Sequence, residues 1–134
     1  MSMKRRIAVS QKKEKADLVI SNVRVADVFN LRWKKANIVI ADGHIIAIDE
    51  NNEFEAIETI DGKEQYAIPG LIDAHIHIES SMLTPYEFSR IMVPHGITTV
   101  VTDPHEIANV SGKDGLRFMI EDAKKAQMDI LYML

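Results

Sequence analysis

The first half of the chain alternates strand-length apolar runs with turn residues, which is the pattern of a small β-sheet. These runs occupy residues 17–20, 23–28, 36–40, 44–48 and 56–60. Ser21 and Asn22 are expected to form a turn after the first run, and Asp42-Gly43 is a strong signal for a two-residue hairpin. We therefore predict that residues 16–68 form a small antiparallel sheet or half-sandwich of about four or five strands.

The hydrophobic pattern changes near residue 69, where amphipathic segments begin to alternate with apolar runs. The predicted order is strand, helix, strand, helix and strand, in residues 67–77, 84–95, 97–102, 111–128 and 130–134. Capping boxes that begin at Thr84 and Ser111 mark the two helix starts. A βαβαβ order implies a parallel sheet with right-handed crossovers, so residues 69–134 are predicted to form an α/β unit.

Composition and charge narrow the classes of protein that this pattern allows. The chain has 134 residues, no cysteine and a formal net charge of −4, which fits a cytoplasmic globular protein without disulfides. The apolar runs are too short for a transmembrane helix, and no apolar segment follows the basic N-terminus as in a signal peptide. Residues 1–15 hold six basic side chains and one acidic side chain. We predict a loose, partly disordered terminus there, with no nucleic-acid or membrane partner.

The segment Asp73-Ala74-His75-Ile76-His77 carries the strongest chemical signal. Residues two apart on a strand face the same side, so the imidazoles of His75 and His77 project together, roughly 6.5 Å apart along the strand. At the carboxyl end of a parallel strand, two such imidazoles are suited to bind one divalent metal ion. Asp73 lies one step deeper on the same face and is a candidate to orient an imidazole by accepting its second N–H. Two histidines at this spacing also occur by chance or as a surface pair, so both interpretations stay open.

A second polar cluster, formed by Asp103, His105 and Glu106, follows the second strand of this unit. Because neighbouring parallel strands end at one edge of the sheet, these groups are candidates to bind substrate, transfer protons or add a metal ligand. The alternative is a solvated loop in which Asp103 caps the turn at Pro104. Glu79 directly follows the histidine pair, and it either acts next to the metal and the substrate or belongs to an ordinary polar loop.

The segment Pro69-Gly70-Leu71-Ile72-Asp73-Ala74-His75-Ile76-His77 resembles the first barrel strand of the amidohydrolase superfamily. Two further segments, IESSMLTP at residues 78–85 and TDPHEIANV at residues 102–110, resemble the adenine deaminase family within that superfamily. The resemblance implies a small β-sandwich-like region in residues 16–68, as part of a composite β-sandwich. It also implies that residues 69–134 are the first βαβαβ segment of an incomplete (β/α)8 barrel, since a whole barrel needs roughly 250 residues.

The same resemblance implies a chemistry, which is the hydrolysis of adenine to hypoxanthine and ammonia with a water activated by a divalent metal. Manganese is the first choice of metal, and iron or zinc is the alternative. His75 and His77 are then metal ligands, and Asp103, His105 and Glu106 are candidates for substrate contact or proton transfer. A homo-oligomer with adenine as its small-molecule ligand is also implied. Because the remaining ligands of the family lie on later strands, we expect this chain to be an N-terminal portion that is inactive by itself.

Two alternatives stay open at this point. Another amidohydrolase, such as a cyclic amidase or a deacetylase, would share the histidine pair and the β region, and the chemistry of residues 103–106 separates these enzymes. A small non-catalytic interaction domain would show the same β plus βαβ order with a histidine pair that binds no metal. A sharp unfolding transition of a soluble monomer would favour that domain.

Overall fold

The computed structural model describes residues 3–133 of the chain. They form two units, residues 3–69 and residues 70–133, and each unit has its own sheet. None of the helices in this part of the chain is long and apolar enough to cross a bilayer.

Residues 3–69 fold around a five-stranded mixed sheet. The elements are helix α1 (Met3–Ser10) and strands β1 (Ala16–Asp27), β2 (Arg32–Ala41), β3 (His44–Asp49), β4 (Ala56–Asp61) and β5 (Tyr66–Ala67). Strand β2 pairs antiparallel with both β1 and β3, whereas β4 and β5 both pair parallel with β1. The buried core of this unit consists of Val9, Ala16, Val19, Val39 and Ala41.

The sheet differs from the sequence prediction in two respects. The predicted antiparallel order is wrong for β4 and β5, because the chain crosses over after β3 and places both strands beside β1 in the same direction. The turn predicted at Ser21 and Asn22 is also wrong. Strand β1 continues through it with a bulge, where Asn22 has a φ of 54° and its amide donates to Oδ1 of Asn37 at 3.0 Å. The Asp42-Gly43 hairpin turn is confirmed, with φ values of 52° and 72°.

The N-terminus is folded as helix α1, so the prediction of a loose terminus is wrong for residues 3–10; residues 1 and 2 lie outside the described part of the chain. Val9 of α1 is fully buried in the core. The Arg5 guanidinium pairs with the carboxylates of Asp17 and Asp42, which lie 12 and 37 residues further along the chain. The Arg5 hydrogen bond, helped by the amide of Asp42, holds the pKa of the Asp17 carboxyl below its ordinary value.

Residues 70–133 contain a three-stranded parallel sheet with a helix in each crossover. The elements are β6 (Leu71–Ile76), α2 (Pro85–Met92), β7 (Ile97–Thr102), α3 (His105–Ala123) and β8 (Asp129–Tyr132), with short 3₁₀ helices at Glu79–Ser81 and Val93–His95. The strand order is β6-β7-β8, which confirms the predicted βαβαβ arrangement. The buried core of this unit consists of Ile78, Phe88, Val100, Met119 and Met128.

Helix α3 begins at His105 rather than at Ser111, where the sequence predicted it. The predicted capping box nevertheless coincides with a real interruption, because Gly112 has a φ of 56° and a ψ of −143° inside the helical run. Glycine adopts a positive φ at little cost, so the chain changes direction there. The consequence for the site is that His105 and Glu106 lie in the first turn of a helix instead of in a loop.

Two side chains cap the first turn of α2, and the sequence predicted one of them. Oγ1 of Thr84 accepts a hydrogen bond from the Glu87 amide at 3.4 Å, as the capping box requires. The second is Asp122 of α3, whose Oδ2 accepts a hydrogen bond from the Tyr86 amide at 3.0 Å. That hydrogen bond is the main cause that holds the pKa of the buried Asp122 carboxyl below its ordinary value. Asp122 therefore joins α2 to α3.

Replacing Asp122 with alanine is expected to lower the free energy of unfolding by about 1–3 kcal/mol, because the Tyr86 amide loses its acceptor. Urea denaturation near pH 7 measures this loss, with Asp114→Ala as a matched control at an exposed aspartate of α3. Since the pKa of Asp122 is lowered, its contribution is present above the ordinary pKa and disappears as the pH falls through the folded-state value. Equal transition midpoints for the two variants at pH 7 would show that this cap does not stabilise the fold.

Candidate metal centre

The candidate site lies where β6 and β7 end side by side. Parallel strands end at the same edge of a sheet, so the residues that follow β6 and β7 meet there. The Asp103 amide donates to the carbonyl oxygen of Ile76 at 3.0 Å, which extends the pairing of the two strands past the end of β7. His77, directly after β6, therefore lies beside residues 103–106.

Three imidazoles meet at this edge of the sheet. The ring centroids of His75 and His77 are 5.0 Å apart, and those of His77 and His105 are 4.7 Å apart, both in an edge-to-face arrangement. His77 is half-buried, whereas His75 and His105 are exposed. The structure thus brings together the two histidines of the predicted pair and adds His105 from the second cluster.

Asp103 contacts two of these imidazoles through different atoms. Its carbonyl oxygen accepts a hydrogen bond from Nδ1 of His77 at 2.9 Å. Its carboxylate oxygen Oδ2 lies 3.2 Å from Nδ1 of His105. The alternative role of Asp103 as a cap for the turn at Pro104 is not observed within residues 3–133, because the side chain that accepts from an amide of the first turn of α3 is that of Glu79, at Ile107.

Glu79 and Ser80 connect the segment after β6 to the first turn of α3. Oε1 of Glu79 accepts a hydrogen bond from the Ile107 amide at 3.3 Å, and Oγ of Ser80 donates to Oε1 of Glu106 at 2.8 Å. The other carboxylate oxygen of Glu79, Oε2, is buried and has no hydrogen-bond partner within residues 3–133. A buried carboxylate oxygen without a partner costs free energy, so its presence in this segment fits a site that takes a cation.

Asp73 contacts the main chain rather than a ring. Its Oδ1 accepts a hydrogen bond from the backbone amide of His75 at 3.1 Å. No hydrogen bond between Asp73 and an imidazole occurs in the described part of the chain. The sequence predicted Asp73 as the acceptor for an imidazole N–H, but in the structure the carbonyl of Asp103 is the acceptor for the ring of His77.

His77, His105 and Glu106 form a group of potential metal ligands. One nitrogen from each imidazole and one carboxylate oxygen all lie within 4.8 Å of one another. First-row divalent ions accept two imidazoles and a carboxylate as ligands, so this donor set fits a metal ion. His75 lies beside the group through its ring contact with His77.

Ser80 and Tyr132 are the residues of this region that the sequence did not single out for the site. Burial raises the pKa of Tyr132 to about 12, and the charge of Glu79 adds to the shift. The phenol therefore stays neutral, and it donates a hydrogen bond to the carbonyl oxygen of Met119 at 2.9 Å. Ser80 belongs to the segment at residues 78–85 that carries the resemblance, but no local pattern indicates the contacts of Ser80 and Tyr132, because their partners lie on other elements; Ser80 is 26 residues from Glu106.

Imidazoles at the ends of neighbouring parallel strands lie where α/β barrels place their active sites, and imidazole is a common ligand of catalytic metal ions. The model of the Amidohydrolase family matches residues 66–134, and the chain belongs to this family. Amidohydrolases are generally metal-dependent, in agreement with the ligand group at the ends of β6 and β7.

Within the family, the chain is similar to proteins named Adenine deaminase, which confirms the resemblance seen in the sequence. It is 60% identical over 128 residues to the one from Lysinibacillus sphaericus (strain C3-41) and 54% identical over 128 residues to the one from Bacillus pumilus (strain SAFR-032). Each alignment covers 96% of this chain and 22% of the relative. The chain thus spans about 22% of the length of the curated relatives it matches.

A solved structure shows the same fold. L-Hydantoinase (Dihydropyrimidinase) from Arthrobacter aurescens superposes with a TM-score of 0.65 at 23% sequence identity. The superposition covers 87% of this chain and 27% of the hydantoinase.

Proposed function

We propose that the protein containing this chain hydrolyses adenine to hypoxanthine and ammonia. The observation that carries the proposal is the similarity to Adenine deaminase relatives over 96% of the chain. So few residues lie outside each alignment that the segments after β6 and β7 fall within it. In this reaction the bond between the ring carbon and the exocyclic amino group breaks. The same carbon gains a bond to the oxygen of water, and the amine leaves as ammonia with a proton from that water.

We further propose that residues 70–133 are the first βαβαβ segment of a (β/α)8 barrel and that residues 16–68 contribute to a composite β-sandwich. The parallel order β6-β7-β8 and the likeness to L-hydantoinase along 87% of the chain support this architecture. In such a barrel, the carboxyl ends of all strands surround one opening. His77 and Asp103 would lie at that opening. Homo-oligomeric assembly and a cytoplasmic location belong to the same proposal.

His75 and His77 are proposed to bind a divalent metal ion, with manganese as the first choice and iron or zinc as the alternatives. The ion, when bound, supplies Lewis-acid activation of a water molecule near neutral pH. The hydrogen bond from Nδ1 of His77 to the carbonyl of Asp103 fixes the orientation of this ring. Because Nδ1 carries the proton, Nε2 is the nitrogen with a free lone pair.

Asp103, His105 and Glu106 are proposed to contact the substrate, to move a proton or to add a ligand. Deamination requires a proton at the departing amine, and an imidazole or a carboxyl group at hydrogen-bond distance can deliver it. Glu79 is proposed to set the distance between the two segments, because it holds the Ile107 amide of α3. Asp73 is proposed to hold the main chain of His75 in the same way.

A substrate panel tests the proposal on an intact protein that carries this chain, loaded with Mn²⁺. Adenine is expected to give hypoxanthine and ammonia in equal amounts, measured by chromatography and by an ammonia assay. Hydantoin and an N-acyl amino acid are the comparison substrates, and a preference for either would assign the protein to another amidohydrolase reaction. No turnover of any of the three by metal-loaded protein would favour a non-catalytic domain.

A further inference from the structure

We propose that His105 and Glu106 bind the same divalent cation as His77, so that residues 70–133 hold the ion with their own side chains, and that Asp103 is the positioning residue for both imidazoles. This inference rests on the proposed function only in taking the ends of β6 and β7 as a metal centre. The sequence left three roles open for Asp103, His105 and Glu106, namely substrate contact, proton transfer and ligation. The inference assigns ligation to His105 and Glu106 and a positioning role to Asp103. It also predicts that the 134-residue chain binds metal without any later strand.

The first step of the argument is the orientation of His77. Its Nδ1 donates to the carbonyl oxygen of Asp103 at 2.9 Å, and a carbonyl can only accept. The proton is therefore on Nδ1, and Nε2 is left as the nitrogen that can bind a cation. Metal-binding histidines generally use their second nitrogen in this way, which fixes both the tautomer and the ring plane.

The second step concerns His105, whose Nδ1 lies close to the carboxylate of Asp103, at ion-pair distance and without the hydrogen bond that His77 makes. Its Nδ1 lies 3.2 Å from Oδ2 of Asp103, an acceptor. Nε2 of His105 is therefore also the nitrogen available for a cation. One residue thus lies against both rings, with its main-chain oxygen bonded to His77 and its carboxylate beside His105.

The third step concerns Glu106, which supplies a negative charge to the group. Ser80 donates to Oε1 of Glu106 at 2.8 Å, and this bond uses only part of the acceptor capacity of the carboxylate. Glu79, whose Oε1 binds the adjacent Ile107 amide, has a buried Oε2 without a partner in the described residues. The carboxylate of Glu106 within the ligand group, together with the Asp103 carboxylate beside His105, favours a cation over an anion or a neutral ligand.

The fourth step is the distance between the ligands. In a tetrahedral site with ligand bonds of about 2.1 Å, the ligand atoms lie about 3.4 Å from one another. In this structure, the three ligand atoms lie within 4.8 Å of one another. The difference is small enough for side-chain rotation to close, because His105 is exposed and Glu106 is half-buried. Three protein ligands are also the number that catalytic metal sites generally have.

Metal binding by the 134-residue chain tests the inference directly, with Co²⁺ and Zn²⁺ as separate probes. Equilibrium dialysis followed by elemental analysis gives the stoichiometry and affinity, and the visible absorption of Co²⁺ reports its coordination. One equivalent of metal is expected for the unaltered chain. His105→Gln and Glu106→Gln should each weaken binding by at least about 100-fold, and Asp103→Ala should weaken it by about 10- to 100-fold through loss of orientation.

Matched controls are His95→Gln and Glu121→Gln, which change an exposed imidazole and an exposed carboxylate of the same unit that lie outside the ligand group. Both should bind Co²⁺ like the unaltered chain, and circular dichroism of every variant checks that the fold is retained. Failure of the unaltered chain to bind either metal would overturn the inference. Unchanged affinity in His105→Gln and Glu106→Gln would also overturn it.

His75→Ala separates this inference from the ligand pair of the proposed function. If His75→Ala loses metal while His105→Gln and Glu106→Gln retain it, the pair His75 and His77 stands and the present inference fails. If the loss follows His105 and Glu106 but not His75, the inference stands and the pair must be revised. Loss in all three variants supports four ligands around one ion.

Discussion

Replacing His77 with alanine in an intact protein that carries this chain is expected to lower the rate of adenine deamination by at least about 1000-fold. His77 lies at the centre of the imidazole cluster, with ring centroids 5.0 Å from His75 and 4.7 Å from His105. Its removal takes a ligand away whether the ion is held by His75 or by His105 and Glu106. Bound metal, measured per protein by elemental analysis, should therefore fall together with the rate.

The control for this experiment is His95→Ala, which removes an exposed imidazole from the 3₁₀ helix before β7. His75→Ala is the second arm, because both members of the pair are proposed ligands and each variant should lose metal and activity. The ligand assignment fails if both variants keep the metal content of His95→Ala. A rate that falls at constant metal content would mean that these imidazoles act on the substrate instead.

The parallel sheet and the histidine pair could be predicted from the sequence because both depend on local patterns. Apolar runs that alternate with amphipathic segments define β6, β7 and β8, and parallel pairing follows from the crossovers between them. The common side of His75 and His77 follows from the two-residue period of a strand. The meeting of His77 with residues 103–106 follows from the shared edge at which parallel strands end.

The contacts that orient the site could not be predicted, because they join residues that are distant in the chain. Asp73, close to both histidines in sequence, was the predicted acceptor, whereas the acceptor in the structure is Asp103, 26 residues from His77. Asp122 caps a helix that begins 37 residues earlier, at Pro85, and has no local signal for that role. Helix α1 is likewise joined to a distant part of the chain, through the pairing of Arg5 with Asp42.

The direction of β4, in residues 3–69, could not be predicted from the sequence either. A hairpin signal such as Asp42-Gly43 fixes an antiparallel neighbour, because two residues leave no room for any other return of the chain. The connection between β3 and β4 has no such signal, and β4 pairs parallel with β1 from Ala16 onward. Alternation of apolar and polar residues predicts which face of a strand is buried. It does not predict which strand pairs with it or in which direction.

The second large effect concerns catalysis by the 134-residue chain alone, which we expect to deaminate adenine at least about 1000-fold more slowly than an intact protein that carries it. Well-oriented reactants gain effective concentrations of about 10⁵–10⁸ M, and this gain requires groups on more than one side of the substrate. Here the side chains of His105 and Asp103 are 53% and 34% exposed, and the described ligands come from the ends of only two strands.

Chromatographic detection of hypoxanthine, with Mn²⁺ present and the His77→Ala chain as a control for contaminating enzyme, measures this rate. Turnover within about tenfold of the intact protein, absent in His77→Ala, would show that the two segments suffice for catalysis. The expected result is metal binding without comparable turnover, because ligands need only to converge on one ion, whereas a purine must be held, kept from bulk water and given a proton at a defined atom. The chain should therefore bind metal without deaminating adenine at a comparable rate. His77, His105 and Glu106 supply the metal ligands, but they leave most of the substrate surface in solvent.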